Sequence, residues 1–300
     1  MTESRNYRRA ALWVACALPL AAFASEHSVE RKVAADATGE VVISNVAGTI
    51  DVRGWDRNEV QVTGTLGSGV ERVDVDDSSK GRTVIKVILP RGNNHDGDAD
   101  IEVSVPRGSS VEVSAVSADV SSHGVLGTQR LKSVSGEVTA DISGNESEVS
   151  SVSGDVTVRG DGKAISLRVK SVSGSLDLTN TAGRVDVVTV SGDARVHMGE
   201  TSEVRGRTTS GNLEVSGKLT RDGRVDVEGV SGDINLRLSA PGGLSMDIES
   251  FSGDIEGCLA TNVERVSKYG PGTRLNVRTV EAGPRVRAKT LSGDIDICDR

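Results

Sequence analysis

One short motif recurs along this chain and limits what it can fold into. An apolar or Thr residue, Ser, Gly, an acidic or small polar residue and an aliphatic residue follow one another in that order. Its glycines are Gly136, Gly154, Gly174, Gly192, Gly211, Gly232, Gly253 and Gly293. They stand 18, 20, 18, 19, 21, 21 and 40 residues apart, and the last gap reads as two repeats. Tyr269-Gly270-Pro271-Gly272 then stands in for the missing motif. Self-similarity at a fixed period of this length marks stacked repeats, each too small to bury its apolar face without a neighbour.

The repeating unit is made of strands. After Gly232, Ile234, Leu236 and Leu238 share one face while Asp233, Asn235 and Arg237 share the other. That is the period-two pattern of a half-buried strand. Ser239 to Gly243 is a turn cluster, and Leu244, Met246 and Ile248 begin a second inward face. The alternation slips at Ser250-Phe251, which predicts a bend or bulge before the motif glycine, with Phe251 and Ile255 inward. Stacking such units at about 4.8 Å gives every strand a parallel neighbour on both sides. Asn-Gly turns between equal strands, the mark of antiparallel hairpins, are scarce. The expected fold is all-β: a parallel β-solenoid with rungs of 18–21 residues. Nine rungs from Gly136 to Gly293 would span roughly 38 Å.

Aromatic content fits this reading. Beyond residue 24 the chain holds only Trp55, Phe251 and Tyr269 as aromatics. Small aliphatic side chains fill a narrow stacked interior, whereas a globular core of this length would use more aromatic volume.

Residues 1–24 read as a secretory signal peptide. Arg5, Arg8 and Arg9 form a positive start, Ala10 to Leu20 is almost wholly apolar, and Ala22-Phe23-Ala24 is a small-x-small cleavage site. The apolar stretch is too short for a transmembrane helix. Trp13-Val14-Ala15 before Cys16 is a poor lipidation context, and the residues flanking Arg8-Arg9 do not support twin-arginine export. Cleavage removes three Arg and one Glu, leaving a chain more acidic than the −8 of the whole sequence. Such a surface repels nucleic acid and anionic lipid. No later stretch is apolar for long enough to make a membrane span.

Residues 25–110 are less regular. Val41–Val52 and Val111–Val120 look like degenerate rungs, with Ala118 eighteen residues before Gly136. Terminal repeats of a solenoid are expected to be atypical because they must cover an apolar end. The expected organisation is therefore an N-terminal cap over 25–110, continuous with regular repeats over 111–300. Trp55 is expected to plug the cap end.

These Ser-Gly-Asp strand repeats, with Gly54-Trp55-Asp56 and Tyr269-Gly270-Pro271-Gly272, resemble the bacterial putative-adhesin family of β-strand-repeat proteins, a domain of unknown function. The resemblance covers nearly all of the chain after residue 24. It implies a single-stranded, right-handed β-helix on or near the cell surface, and it carries over no catalytic residue.

The residues supply few candidates for chemistry. The motif's acidic position, Glu137, Asp155, Ser175, Asp193, Asn212, Asp233, Asp254, Thr273 and Asp294, could hold Ca²⁺ or could accept backbone N–H bonds at a turn. The second reading is preferred, because Ser, Asn and Thr interrupt the run. Asp96, Asp98 and Asp100 form the densest acidic cluster, but the glycine and closing Glu of a calcium loop are misplaced, so no metal or cofactor is expected. His27, His95, His123 and His197 lack metal-ligand spacing, and no Ser/His/Asp context exists. Three aromatics cannot line a glycan groove, which argues against a polysaccharide-active enzyme. Cys258 and Cys298 are the cysteines left after cleavage, and an even pair in an exported chain points to a disulfide. Two regular rungs would hold them about 9.6 Å apart, beyond the roughly 7 Å reach of that bond, unless the irregular segment between them bulges.

Two functions fit. One is a non-catalytic envelope protein with a structural or adhesive role, binding a surface protein or glycan. The other is a periplasmic ligand- or peptide-binding accessory that uses strand addition at an open C-terminal edge, although Asp294, Asp296, Asp299 and Arg300 crowd that edge.

Overall fold

The computed structural model describes residues 27–90, 97–144, 146–260, 263–266, 271–279 and 283–298. The predicted signal segment lies outside them. The described chain is all β, with 22 strands joined in one hydrogen-bonded sheet, and its architecture is solenoid-like.

A typical layer has two strands and a corner. Glu146–Ser150 runs into the corner Ser151 to Gly154, and Val156–Gly160 leads away from it. The chain then returns through Gly162, at φ 79°, and starts the next layer at Ala164. Buried and outward residues alternate strictly along both strands. Val149, Val156, Val158, Leu167, Val169 and Leu176 are buried and face each other across the narrow interior. In the middle of the molecule the layers stack in chain order, with parallel pairs Val138 to Val156, Val156 to Leu176, Leu176 to Ala194, Ala194 to Leu213 and Leu213 to Ile234.

At both ends that order changes. The last layer of the chain, Arg285–Ser292 with Ile295–Ile297, does not lie outermost. It pairs with Leu213–Ser231 and Ile234–Ser239 on one side and with Ser245–Ser252 and Ile255–Gly257 on the other. Gly232, Gly293 and Gly253 are therefore consecutive in space. The N-terminal end follows the same plan. Glu40–Trp55 lies between Ser110–His123 and the pair Arg82–Ile88 and Asp98–Pro106. Each end thus tucks its terminal layer one place inward and exposes a layer drawn from nearer the middle of the sequence.

Antiparallel strands then cover the outermost layers. Glu59–Leu66 and Arg72–Ser79 cover the N-terminal end, and His27–Ala34 pairs outside Glu59–Leu66. Thr273–Arg278 covers Ser245–Ser252, with Glu264–Arg265 outside it. Eleven stacked layers at the strand spacing give a length of about 48 Å between the first and last.

Several expectations are corrected by this arrangement. The gap between Gly253 and Gly293 is not two rungs, because Thr273 begins an antiparallel covering strand. Ile295–Ile297 is not an open edge, since both its sides are paired; Asp299 and Arg300 lie outside the described residues. Trp55 does not plug the interior. It is half-buried at the end of its strand, where its indole N–H donates to the Glu59 carbonyl at 2.9 Å and Arg57 stacks 4.7 Å from the ring centre.

Candidate functional site

The corner that carries the motif is where the structure departs furthest from simple alternation. Before each motif glycine, two successive side chains face outward. Ser133, Ser151, Ser171 and Thr189 take the last inward position, and their hydroxyls accept the N–H of Gly136, Gly154, Gly174 and Gly192 at 2.9–3.1 Å. A buried backbone N–H left without a partner at a bend is costly, and the hydroxyl supplies that partner. With the inward position filled by Ser or Thr, the apolar residue that follows must point out.

The consequence is an apolar ridge. Val116, Val134, Val152, Val172, Val190 and Val230 are all exposed, each above its counterpart in the next layer. Val46 extends the row at one end, and Leu291 and Phe251 extend it at the other. Exposure along the row runs from 39% at Val46 to 55% at Phe251, with Thr209 the polar member. Ten positions at the strand spacing make a strip about 43 Å long. Phe251 was expected to face inward; the hydroxyl of Ser250, bonded to the Gly293 carbonyl at 3.0 Å, occupies that place instead.

Beside the ridge runs the motif's acidic ladder. Six side chains along it accept the backbone N–H of the equivalent residue in the next layer: Asp119 from Glu137, Asp155 from Ser175, Asp193 from Asn212, Asn212 from Asp233, Asp233 from Asp294 and Asp294 from Asp254, at 2.8–3.0 Å. The five carboxylates and the Asn212 amide are committed to these hydrogen bonds through one oxygen at the exposed surface. The same bonds repeat the spatial order 233, 294, 254 independently of the strand pairing.

The glycines explain why the corner tolerates no side chain. A Cβ on Gly174 would sit 2.0 Å from the Gly154 carbonyl oxygen, and one on Gly293 would sit 2.2 Å from that of Gly232. Every motif glycine meets the preceding layer's corner in this way, so the backbones approach as closely as they can.

Other candidates are placed as follows. Asp96 lies outside the described residues. Asp98 and Asp100 are exposed on Asp98–Pro106, and Asp100 accepts the Thr49 hydroxyl at 2.9 Å. Among the described residues no group of three His, Cys, Asp or Glu side chains could hold a metal. His123 pairs with Asp141 at 2.9 Å on the surface. His197 hydrogen-bonds Ser216 at an open cleft, but Ser216 also lies 3.5 Å from the Val196 carbonyl, and no carboxylate is bonded to the ring among the described residues. A nucleophile needs a base that is itself oriented, and this pair lacks that third group. Cys258 and Cys298, expected two rungs apart, are in neighbouring layers. No helix among the described residues is long and apolar enough to cross a membrane.

Comparison with known proteins adds a family. The family model described as Toastrack DUF4097 matches residues 49–298, in agreement with the resemblance carried by the Ser-Gly-Asp repeats. No curated protein matches the sequence. Similar solved structures include a "putative lipid binding protein" from Parabacteroides distasonis at 11% identity, covering 89% of this chain and 96% of that one with a TM-score of 0.45. A "putative adhesin" from Parabacteroides merdae is 12% identical, covering 89% and 95% with a TM-score of 0.41. A "putative cell adhesion protein" from Clostridium sporogenes is 10% identical, covering 92% and 100% with a TM-score of 0.28.

Proposed function

This chain belongs to the Toastrack DUF4097 family, and from that premise we propose that it is an exported, non-catalytic envelope protein that binds a partner through its corner ridge. In this reading residues 1–24 direct export, residues 25–110 and 111–300 form one continuous body, and the layers are rungs of a right-handed solenoid. The observation that carries the proposal is the row from Val46 to Phe251. Inward side chains are spent on packing, and the outer strand faces are mosaics of ion pairs such as Lys170–Glu148 and Arg184–Glu203. Among the described residues the ridge is the long exposed apolar strip, and contiguous exposed apolar surface of that kind marks interaction sites.

The chemistry of the strip describes the partner. Aliphatic side chains with a single aromatic, Phe251 at one end, suit an apolar protein surface better than a sugar. The carboxylates alongside favour a partner whose apolar strip is bordered by basic residues. Strand addition is disfavoured at the N-terminal outer layer and along Ser245–Ser252, which antiparallel strands cover.

The test is co-sedimentation of the purified protein with envelope vesicles from the producing cell. The triple variant Val152→Ser, Val172→Ser, Val190→Ser should keep its β spectrum and melting temperature yet bind about tenfold or more weakly. Protease treatment of the vesicles should abolish wild-type binding. Equal binding by variant and wild type contradicts the ridge, and binding that survives proteolysis contradicts a protein partner.

A further inference from the structure

The tucked C-terminal layer brings together two residues that the sequence holds 40 apart. Ile255, Glu256 and Gly257 pair in parallel register with Ile295, Asp296 and Ile297, so the next positions, Cys258 and Cys298, stand opposite one another. Neighbouring parallel strands put such Cα atoms about 4.8 Å apart, inside the range a disulfide spans. Both side chains lie on the outward phase. Cys258 is exposed and Cys298 half-buried, and the Cys258 thiol lies 3.5 Å from the Ile297 carbonyl, over the neighbouring layer.

We propose that Cys258 and Cys298 form a disulfide clasp that fastens the tucked terminal layer to the outermost layer of the stack. Without it, the outer layer and its covering strands are held only by contacts with a chain end, the place where stacked repeats fray most readily. With it, Ser245–Ser252, Ile255–Gly257 and Ile295–Ile297 open together or not at all. A surface protein pulled through its ridge gains mechanical continuity from this bond at the end where Leu291 and Phe251 lie.

Bond formation needs an oxidant, and the class that fits is another disulfide, from a thiol-disulfide oxidoreductase or oxidised glutathione. The exposed Cys258 attacks as thiolate, having given up its proton, and forms a mixed disulfide with one oxidant sulfur while the other leaves as a thiolate. Cys298, losing its own proton, then attacks Cys258 sulfur, and the second oxidant sulfur departs. Two protein thiols are oxidised and one oxidant disulfide is reduced to two thiols. The order follows access. It also agrees with the Cys298 thiol being held above its usual range, chiefly by its hydrogen bond to Cys258, with Asp296 adding repulsion.

The full chain should be equilibrated with oxidised glutathione, alkylated without reduction and mapped by peptide mass. The expected result is a linked peptide joining Cys258 to Cys298. Reduction should then lower the melting temperature by about 5 °C, and Cys258→Ser should melt at the reduced value under both conditions. Recovery of both cysteines as alkylated thiols overturns the bond. A linked peptide whose reduction leaves the melting temperature unmoved overturns the clasp. Neither outcome bears on vesicle binding by the ridge, so the two proposals fail separately.

Discussion

The middle of the molecule and its C-terminal end use the same motif to different effect. From Val138 to Ile234 each corner stacks on the one before it in the chain, and the strand register advances by one repeat per layer. After Ile234 the partner is Ile295, and only then Ile255. Yet the corner chemistry is unchanged: Gly293 meets the Gly232 carbonyl, Gly253 meets that of Gly293, and the acidic ladder passes from Asp233 through Asp294 to Asp254. The motif therefore encodes a layer that can sit on any other layer, and says nothing of which. Order in the middle follows from short returns such as Gly160 to Lys163, which leave no choice of neighbour. Between Gly257 and Pro284 the connection is long enough to carry covering strands and to bring the last layer back inside.

Substituting the glycines exploits this difference most strongly. In Gly174→Ala the new Cβ meets a backbone oxygen at 2.0 Å in the middle of the stack, where neither layer can move without disturbing the next. Global stability should fall by about 3 kcal/mol, measured by urea denaturation. Gly253→Ala makes nearly the same collision, 2.1 Å from the Gly293 oxygen, but in the outermost layer. The loss there should be about 1 kcal/mol or less, with faster hydrogen exchange concentrated in 245–257, 273–278 and 295–297. Equal global losses in the two variants would erase the distinction between middle and end.

A smaller effect comes from the outer ion pairs, one in each region. Glu148 in the middle and Glu249 at the end are both held below the ordinary glutamate value of 4.5, first by hydrogen bonds from Lys170 and Lys289. A depressed folded-state value means stability that is present above 4.5 and lost as the pH falls through the lower folded value. Lys170→Met should remove that part of the acid dependence, worth less than about 0.5 kcal/mol after solvent screening of so exposed a pair. A change in acid slope larger than this in melting experiments would mean that the outer face contributes more than its exposure allows.

Much of the layer was legible in the sequence. Alternation through Ile234, Leu236 and Leu238 is what the strand shows, and the 18–21 residue spacing is the register step wherever layers follow in chain order. The ridge was not legible because the sequence pattern puts the phase slip at Ser250-Phe251, which turns Phe251 inward, whereas the structure places it one residue later, with Phe251 and Ser252 both outward. The missed signal was the Ser or Thr two places before the motif serine, present at Ser133, Ser151, Ser171, Thr189, Thr208, Ser250 and Thr290. The first four accept the motif glycine N–H, Thr208 and Ser250 donate to a motif glycine carbonyl, and Thr290 makes no hydrogen bond among the described residues. The residue after each of the seven points outward. Stacking order was illegible for a deeper reason. Glycine-on-carbonyl contacts are identical in every layer, so a periodic sequence ranks no neighbour above another. The proximity of Cys258 to Cys298 depends wholly on that order and was hidden with it.

The tucked terminal layer is thus the central claim, and three outward serines test it directly. Ser231 pairs with Ser292, and Ser292 with Ser252, so Ser231 and Ser252 stand two layers apart. With Cys258 and Cys298 replaced by Ser, the pair Ser231→Cys and Ser292→Cys should cross-link on mild oxidation, being about 4.8 Å apart. The pair Ser231→Cys and Ser252→Cys should stay reduced at about 9.6 Å. Cross-linking of 231 to 252, with 231 and 292 left as thiols, would show that the layers stack in chain order and would contradict the account.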